Sequence, residues 1–210
     1  MTKAWLWMAD ADAVTEAELL RFRDWLSASE VARYQRFARA QRLRQFVVGR
    51  ILLRKALGRL LKVAPQDVQL EEQVAKAPLL VSPVVKGGAP GFSIAHSGRW
   101  VACVVSAQTA LGLDIEMRDA GRDLTALAAQ AFDAREMAAW ERTEYLSEPQ
   151  RVAGFYRMWS EKEARFKLGA GTGAVTEGHC LVVPHAELSV VLCSALPLDG
   201  VPEIEVVSLA

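Results

Sequence analysis

Trp159-Ser160-Glu161-Lys162-Glu163-Ala164-Arg165-Phe166-Lys167 contains neither glycine nor proline, and most of its residues are good helix formers. The stretch predicts a helix. On a helix, Glu163 shares a face with Trp159 and with Lys167, each four residues away. One face then carries an aromatic ring, a carboxylate and an ammonium. Glu161 and Arg165 have the same spacing. Alone, the segment fits a solvated helix with two weak ion pairs, each contributing about 0.2–0.5 kcal/mol. Upstream, Leu111-Gly112-Leu113-Asp114-Ile115-Glu116 adds further acid. Read as a strand, it turns Asp114 and Glu116 to one face and Leu113 and Ile115 to the other.

Two carboxylates on one side of a strand repel each other unless a proton or a cation intervenes. With Glu163 from the helix, Asp114 and Glu116 would make a hard oxygen site suited to Mg²⁺. Such a site usually keeps waters and takes further ligands from substrate phosphates. The same spacing also fits a plain solvent-facing strand edge.

The 210 residues suit one large domain or two small lobes. With 51% hydrophobic and 24% charged residues, the composition is that of an ordinary globular protein. No apolar run is long enough to span a bilayer. The N-terminus lacks the charged-then-apolar layout of a signal peptide, so the expected location is the cytoplasm. Cys103, Cys180 and Cys193 are odd in number and widely spaced, with no C-x-x-C. They predict reduced thiols, not a disulfide framework.

Net charge is zero but unevenly spread. Between Val31 and Ala64 stand ten basic residues (Arg33, Arg36, Arg39, Arg42, Arg44, Arg50, Arg54, Lys55, Arg59 and Lys62) and no acid. The remainder carries the balancing negative excess. Such a segment points to an anionic partner: phosphates, nucleic acid or an acidic protein surface.

Along the chain, Trp5 to Met8 reads as a strand. Residues 15–27 read as a helix with a Thr15/Glu18 capping box, and 29–39 as a second, basic helix. Phe46, Val47, Leu53, Leu57, Leu60 and Leu61 recur at helical spacing through 41–62. Short strands are expected at 68–74 and 79–85. Phe92 to Gly98 alternates, and Trp100 to Ser106 is an apolar strand that could form a hairpin with Leu111 to Glu116. A short helix is expected at 124–131. Asp133 and Glu136 predict a capping box for a helix over 134–146, and Pro149 separates it from one over 150–168. Gly169, Gly171 and Gly173 are expected to end that helix. Strands are expected near 180–183, 187–193 and 203–208. The whole reads as α+β, with a lobe boundary near 108–110.

His96, ending a strand before Ser97-Gly98, fits a turn hydrogen-bonder or, with arginines nearby, a phosphate ligand. His179, Cys180, His185 and Cys193 lack the paired spacing of a zinc site. The glycines after Lys167 follow a helix, whereas a phosphate loop must precede one.

Gly112-Leu113-Asp114-Ile115-Glu116, followed about 45 residues later by Trp159-Ser160-Glu161-Lys162-Glu163-Ala164-x-x-Lys167, resembles the signature of the 4'-phosphopantetheinyl transferases. Ile94-Ala95-His96-Ser97-Gly98 resembles that family's His-Ser loop, and the arginine-rich helix before Gly49 its N-terminal region. The resemblance runs from about residue 30 to 175. The length is similar to that of the family's larger branch, in which two similar lobes form a pseudodimer with the active site between them. It implies lobes at 1–108 and 109–210 and a monomer.

The resemblance implies transfer of the phosphopantetheine arm of coenzyme A (CoA) to a serine of an acidic acyl or peptidyl carrier protein, releasing adenosine 3',5'-bisphosphate. Asp114, Glu116 and Glu163 would hold Mg²⁺. Glu163 or a metal-bound water would take the serine proton. Lys167 and Lys162 would neutralise charge on the phosphoryl group. His96, Ser97, Arg33, Arg36 and Arg44 would hold CoA phosphates, and Lys76 would contact CoA. The match departs from the family where Lys76-Ala77-Pro78 replaces Lys-Pro and where Ala95 replaces a frequent serine. Two rivals are a nucleic-acid-binding protein built on residues 31–64 and a non-catalytic CoA- or carrier-binding module. The first predicts exposed aromatics among the arginines, and the second predicts loss of one of the three carboxylates. All three are present.

Overall fold

The computed structural model describes residues 2–74, 76–172 and 178–209. Among these residues nine strands and six α-helices follow in the order β1 (Trp5–Asp10), α1 (Glu16–Arg23), α2 (Ala28–Tyr34), α3 (Ala40–Leu61), β2 (Gln69–Glu71), β3 (Leu79–Ser82), β4 (Gly91–Ser97), β5 (Trp100–Ser106), β6 (Leu111–Met117), α4 (Leu124–Ala131), α5 (Ala134–Glu141), α6 (Glu148–Thr172), β7 (His179–Val182), β8 (Leu188–Ser194) and β9 (Ile204–Val206). The fold is mixed α+β, as the patterning predicts.

Two sheets dominate. The first has the order β4-β5-β1-β9 and the second β6-β8-β7, beside the small β2-β3 hairpin. Strand alternation gives each main sheet two apolar faces. Trp7, Ala9, Val101, Cys103 and Val105 pack one face of the first sheet against Val47, Ile51, Leu52 and their neighbours on α3. Leu6, Met8, Ala102 and Val104 line its other face and meet Leu113, Ile115, Val190 and Leu192 of the second sheet. Val191 and Cys193 turn the opposite way, onto Ala164 and Leu168 of α6. The resulting layers are α3, first sheet, second sheet and α6, so both sheets are covered on both faces.

The expected hairpin between Trp100–Ser106 and Leu111–Glu116 does not form. β5 pairs with β1 and β4, whereas β6 pairs with β8. β5 is apolar on both faces, and stacking the second sheet on the first covers the face that an extended sheet would leave open. The edges β4 and β6 nevertheless adjoin. Leu113 N donates to Ser93 Oγ at 3.0 Å and Met117 N to Ser97 Oγ at 2.9 Å. Serine side chains thus satisfy edge amides that a neighbouring strand would otherwise pair.

Helix ends follow the capping chemistry. Thr15/Glu18 and Asp133/Glu136 form the expected capping boxes, and Ser27/Glu30 forms a third that starts α2. α1, α2 and α5 stop earlier than expected, at Arg23, Tyr34 and Glu141. α6 is longer than expected at both ends. Pro149 falls in its first turn, where a missing N–H breaks no helical bond. The helix then runs through Gly169 and Gly171 to Thr172, while Gly173 lies outside the described residues.

The thiol expectation is corrected. Cys180 on β7 faces Cys193 on β8 at a Cα separation of 4.0 Å, and the two form a disulfide. Strand register brings them together, which their spacing of thirteen residues does not reveal. Cys103 is free, as expected, and lies buried. Among the described residues no helix is long and apolar enough to cross a membrane.

Candidate active site

Where β6 meets α6, the backbones come close. A Cβ on Gly112 would lie 2.0 Å from Ala164 O and 2.6 Å from Leu168 N, so only glycine permits this approach. The approach sets Asp114, two residues on and on the same strand face, against α6. Lys167 Nζ donates to Asp114 Oδ1 at 2.8 Å and to Leu113 O at 3.0 Å. The expected i,i+4 pairing of Glu163 with Lys167 thus gives way to a contact between elements. Glu161 and Arg165 do pair as expected, at 2.8 Å.

Asp114 is buried, and its Oδ2 has no hydrogen-bond partner among the described residues. Burial pushes its carboxyl up to about 6; Glu116 adds to this, while Lys167 opposes it. Ser160 Oγ, fully buried one turn before Glu163, also lacks a partner, and its electrostatic contact with Asp114 places it beside that carboxylate. Glu116 accepts from Ser97 Oγ at 2.8 Å. On α6, Ser160, Glu163 and Lys167 share the face turned toward β6. Among the described residues no three acidic, histidine or cysteine side chains are gathered closely enough to hold a metal ion. Asp114, Glu116 and Glu163 are thus not gathered as one metal-holding group. The donor chemistry still fits a hard divalent cation: two carboxylates on one strand face, one with a buried orphan oxygen.

Beside this seam opens a cleft of about 1040 Å³ between α2, α3, β4, the segment after β2 and α6. Arg33, Arg36, Arg42, Lys76, His96 and Lys167 line it, and Phe37, Phe46, Phe92 and Ile94 supply apolar wall. Phe166 stands in it, 69% exposed. Arg42 Nη1 lies 3.0 Å from His96 Nε2. The ring is open to the cleft on one side. The protein packed around its other side, then Arg42 and Lys167, hold its acidity at about 4, so it is neutral near pH 7. Gly98, at φ +56°, makes the tight turn between β4 and β5; a Cβ there would meet Met117 Sδ at 2.0 Å. Its carbonyl accepts from Gln45 Nε2 at 2.7 Å, which ties this turn to α3.

Of the residues expected to hold CoA, Arg33, Arg36, Lys76 and His96 come to the cleft wall. Three others have different neighbours. Arg44 is bound by Ala11 O, Val14 O and Glu16. Lys162 Nζ pairs with Glu136 Oε2 at 2.6 Å, which ties α6 to α5. Ser97 sits behind Glu116. The arginine segment also proves partly structural. Arg54 Nη2 meets Glu30 Oε2 at 2.5 Å in full burial, Arg50 meets Glu30 and Glu72, and Arg59 meets Glu205. Sequence reading missed Glu72 and Ser160, and named Arg42 only as part of the basic segment. The position of Ser160 in the helix motif, one turn from Glu163, was the available signal.

A family model for the 4'-phosphopantetheinyl transferase N-terminal region matches residues 13–109, and one for the 4'-phosphopantetheinyl transferase superfamily matches residues 110–186. The chain is similar to the 4'-phosphopantetheinyl transferase HetI of Nostoc sp., 31% identical over 180 residues, covering 85% of this chain and 74% of that protein. It is similar to the 4'-phosphopantetheinyl transferase AcpT of Salmonella typhimurium, 30% identical over 171 residues, covering 75% and 80%. It is also similar to the 4'-phosphopantetheinyl transferase Sfp of Bacillus subtilis, 26% identical over 197 residues, covering 91% and 76%.

Proposed function

The chain belongs to the 4'-phosphopantetheinyl transferase superfamily, and from that premise we propose that it moves the phosphopantetheine arm of CoA onto a serine of an acidic acyl or peptidyl carrier protein. The observation that carries this reading is the junction of a cation-lined cleft with the Asp114–Lys167 contact. A CoA-sized anion needs the first, and a phosphoryl transfer beside the cleft needs the second.

Arg33, Arg36, Arg42 and Lys76 bind the phosphates of CoA. Neutral His96 donates one hydrogen bond to them and, held by Arg42, orients without adding charge. Asp114 and Glu116, with Glu163 from α6, would hold Mg²⁺, which when bound supplies neutralising charge to the pyrophosphate. Glu163 takes the proton from the carrier serine. The serine oxygen forms a bond to the β-phosphorus of CoA as the bond to the adenosine bisphosphate oxygen breaks. Lys167 offsets the negative charge that builds on the transferred group. Lys167 can serve there because Asp114 and Leu113 O fix its ammonium.

The two lobes are proposed as residues 1–108 and 109–210, working as a monomer. Support comes from the repeated unit of one long helix on one sheet, α3 on the first and α6 on the second. β9 crosses back to pair with β1 and ties the lobes together. A nucleic-acid surface along residues 31–64 is disfavoured because Arg44, Arg50, Arg54 and Arg59 already pair with carboxylates.

The test is incubation with CoA, Mg²⁺ and an apo carrier protein, read by intact mass. A gain of one phosphopantetheinyl group on the carrier is expected, with chelation stopping it and added Mg²⁺ restoring it. Arg33→Ala should raise the KM for CoA more than it lowers kcat. No modification of any carrier class would overturn the reading.

A further inference from the structure

An alternating row of five charges runs from the cleft wall into the protein: Arg33, Glu72 and Arg50 at the wall, then buried Glu30 and Arg54. Arg33 Nη1 lies 2.5 Å from Glu72 Oε2, and Arg50 Nε lies 2.8 Å from Glu72 Oε1. Arg50 Nε also reaches Glu30 Oε1 at 3.2 Å, and Glu30 grips Arg54 with both oxygens, at 2.9 and 2.5 Å. The row climbs from full burial at Arg54 to the cleft rim, where the Arg33 side chain is 45% exposed. Its net charge of one positive unit therefore reaches solvent at Arg33.

Glu72 is the joint of this row. Its side chain is 9% exposed, and its backbone N–H donates to Ser29 Oγ at 3.0 Å, which anchors it to α2. Its two oxygens take one arginine each. Both guanidiniums lie over the Phe46 ring, Arg33 at 5.8 Å and Arg50 at 4.7 Å from its centre. Arg33 sits near the end of α2, a helix of only seven residues, and a long exposed side chain there would otherwise sample many rotamers. Ion pairing to Glu72 and stacking on Phe46 remove that freedom before any ligand arrives.

We propose that Glu72 is a positioning residue that aims Arg33 at the anionic groups of CoA in the cleft. This rests on the assignment of CoA to that cleft. A carboxylate beside a phosphate-binding arginine could instead mask its charge, and the two roles predict opposite signs. Loss of a positioning group weakens CoA binding, whereas loss of a masking group strengthens it.

A double-mutant cycle separates them, with CoA affinity measured by calorimetry on the full chain and KM and kcat measured in parallel. Glu72→Gln should weaken CoA binding about tenfold. The KM for CoA should rise by the same factor, with kcat moving less than about twofold. In an Arg33→Ala background the same change should have an effect below about twofold, because the arginine that Glu72 aims is gone and Arg50, its other partner, is still held by Glu30. Glu72→Asp keeps the charge on a shorter stem and should fall between Gln and the parent, so the question stays answerable if Gln impairs folding. Unchanged or tighter CoA binding in Glu72→Gln, or an equal loss with and without Arg33, would overturn the positioning role alone. A parent that does not bind CoA, or an Arg33→Ala variant that binds normally, would overturn the CoA assignment as well.

Discussion

Lys167 Nζ sits 2.8 Å from Asp114 Oδ1, so the lysine of α6 is spent on the strand opposite and not on its own helical neighbour Glu163. The contact joins the two motifs that the chain separates by some fifty residues. It leaves Asp114 half satisfied: one oxygen is paired, and the other is buried and orphaned.

Asp114→Asn should abolish transfer yet stabilise the metal-free protein. The carboxyl is held at about 6 against an ordinary value of 3.8, chiefly by burial. The folded state thus holds this proton more tightly than the unfolded one. Its favourable contribution is complete below pH 4 and is lost as pH rises through 6. Asn does not titrate. The stability gain of the variant should therefore be near zero below pH 4, grow between pH 4 and 6, and level off above, at on the order of 2 kcal/mol. Thermal melts of both proteins in chelator across that range check it. Added Mg²⁺ should shrink the gain.

Glu163→Gln should reduce kcat by roughly a hundredfold or more, the scale of lost general-base help. The melting temperature should stay within a degree or two, since a half-buried polar side chain at this position contributes little to the core. Transfer rates at saturating CoA and Mg²⁺ check this, and a near-normal rate would remove Glu163 from the reaction.

Gly112→Ala should cost about 1–3 kcal/mol or more, because the new methyl must push α6 off β6. Gly154→Ala, on the same helix, meets nothing nearer than 4.0 Å and should stabilise by about 0.4–1 kcal/mol. Denaturant unfolding of the pair reads α6 docking directly, and equal effects would contradict the close contact at Gly112.

His96 should titrate near 4 in the free protein, well below an ordinary imidazole. Its folded value lies below its unfolded one. Its contribution to stability is therefore full above about pH 6.5 and is lost as pH falls toward 4, opposite in sign to that of Asp114. Ring proton shifts followed by NMR against pH check the midpoint. Bound CoA should raise it, because a phosphate in the cleft favours the charged ring.

Much of this molecule is written locally. Thr15 with Glu18 and Asp133 with Glu136 announce helix starts, and both caps form. The two-residue alternation of Leu111–Met117 places Asp114 and Glu116 on one face, and the bonds to Lys167 and Ser97 lie as that alternation requires. These features depend on residues within about one turn or one pleat, so the sequence alone determines them.

Other features appear only in the tertiary structure. β9 pairs in parallel with β1, Cys180 meets Cys193, Arg44 turns to Glu16, and Glu72 binds two arginines of the cleft. Each joins groups distant in the chain, and each partner could locally have chosen another. An arginine has the same local energy whether it faces a phosphate or a carboxylate from the next element. The choice falls to the stacking of the two sheets, whose many small apolar contacts set the register and thereby decide which charges meet.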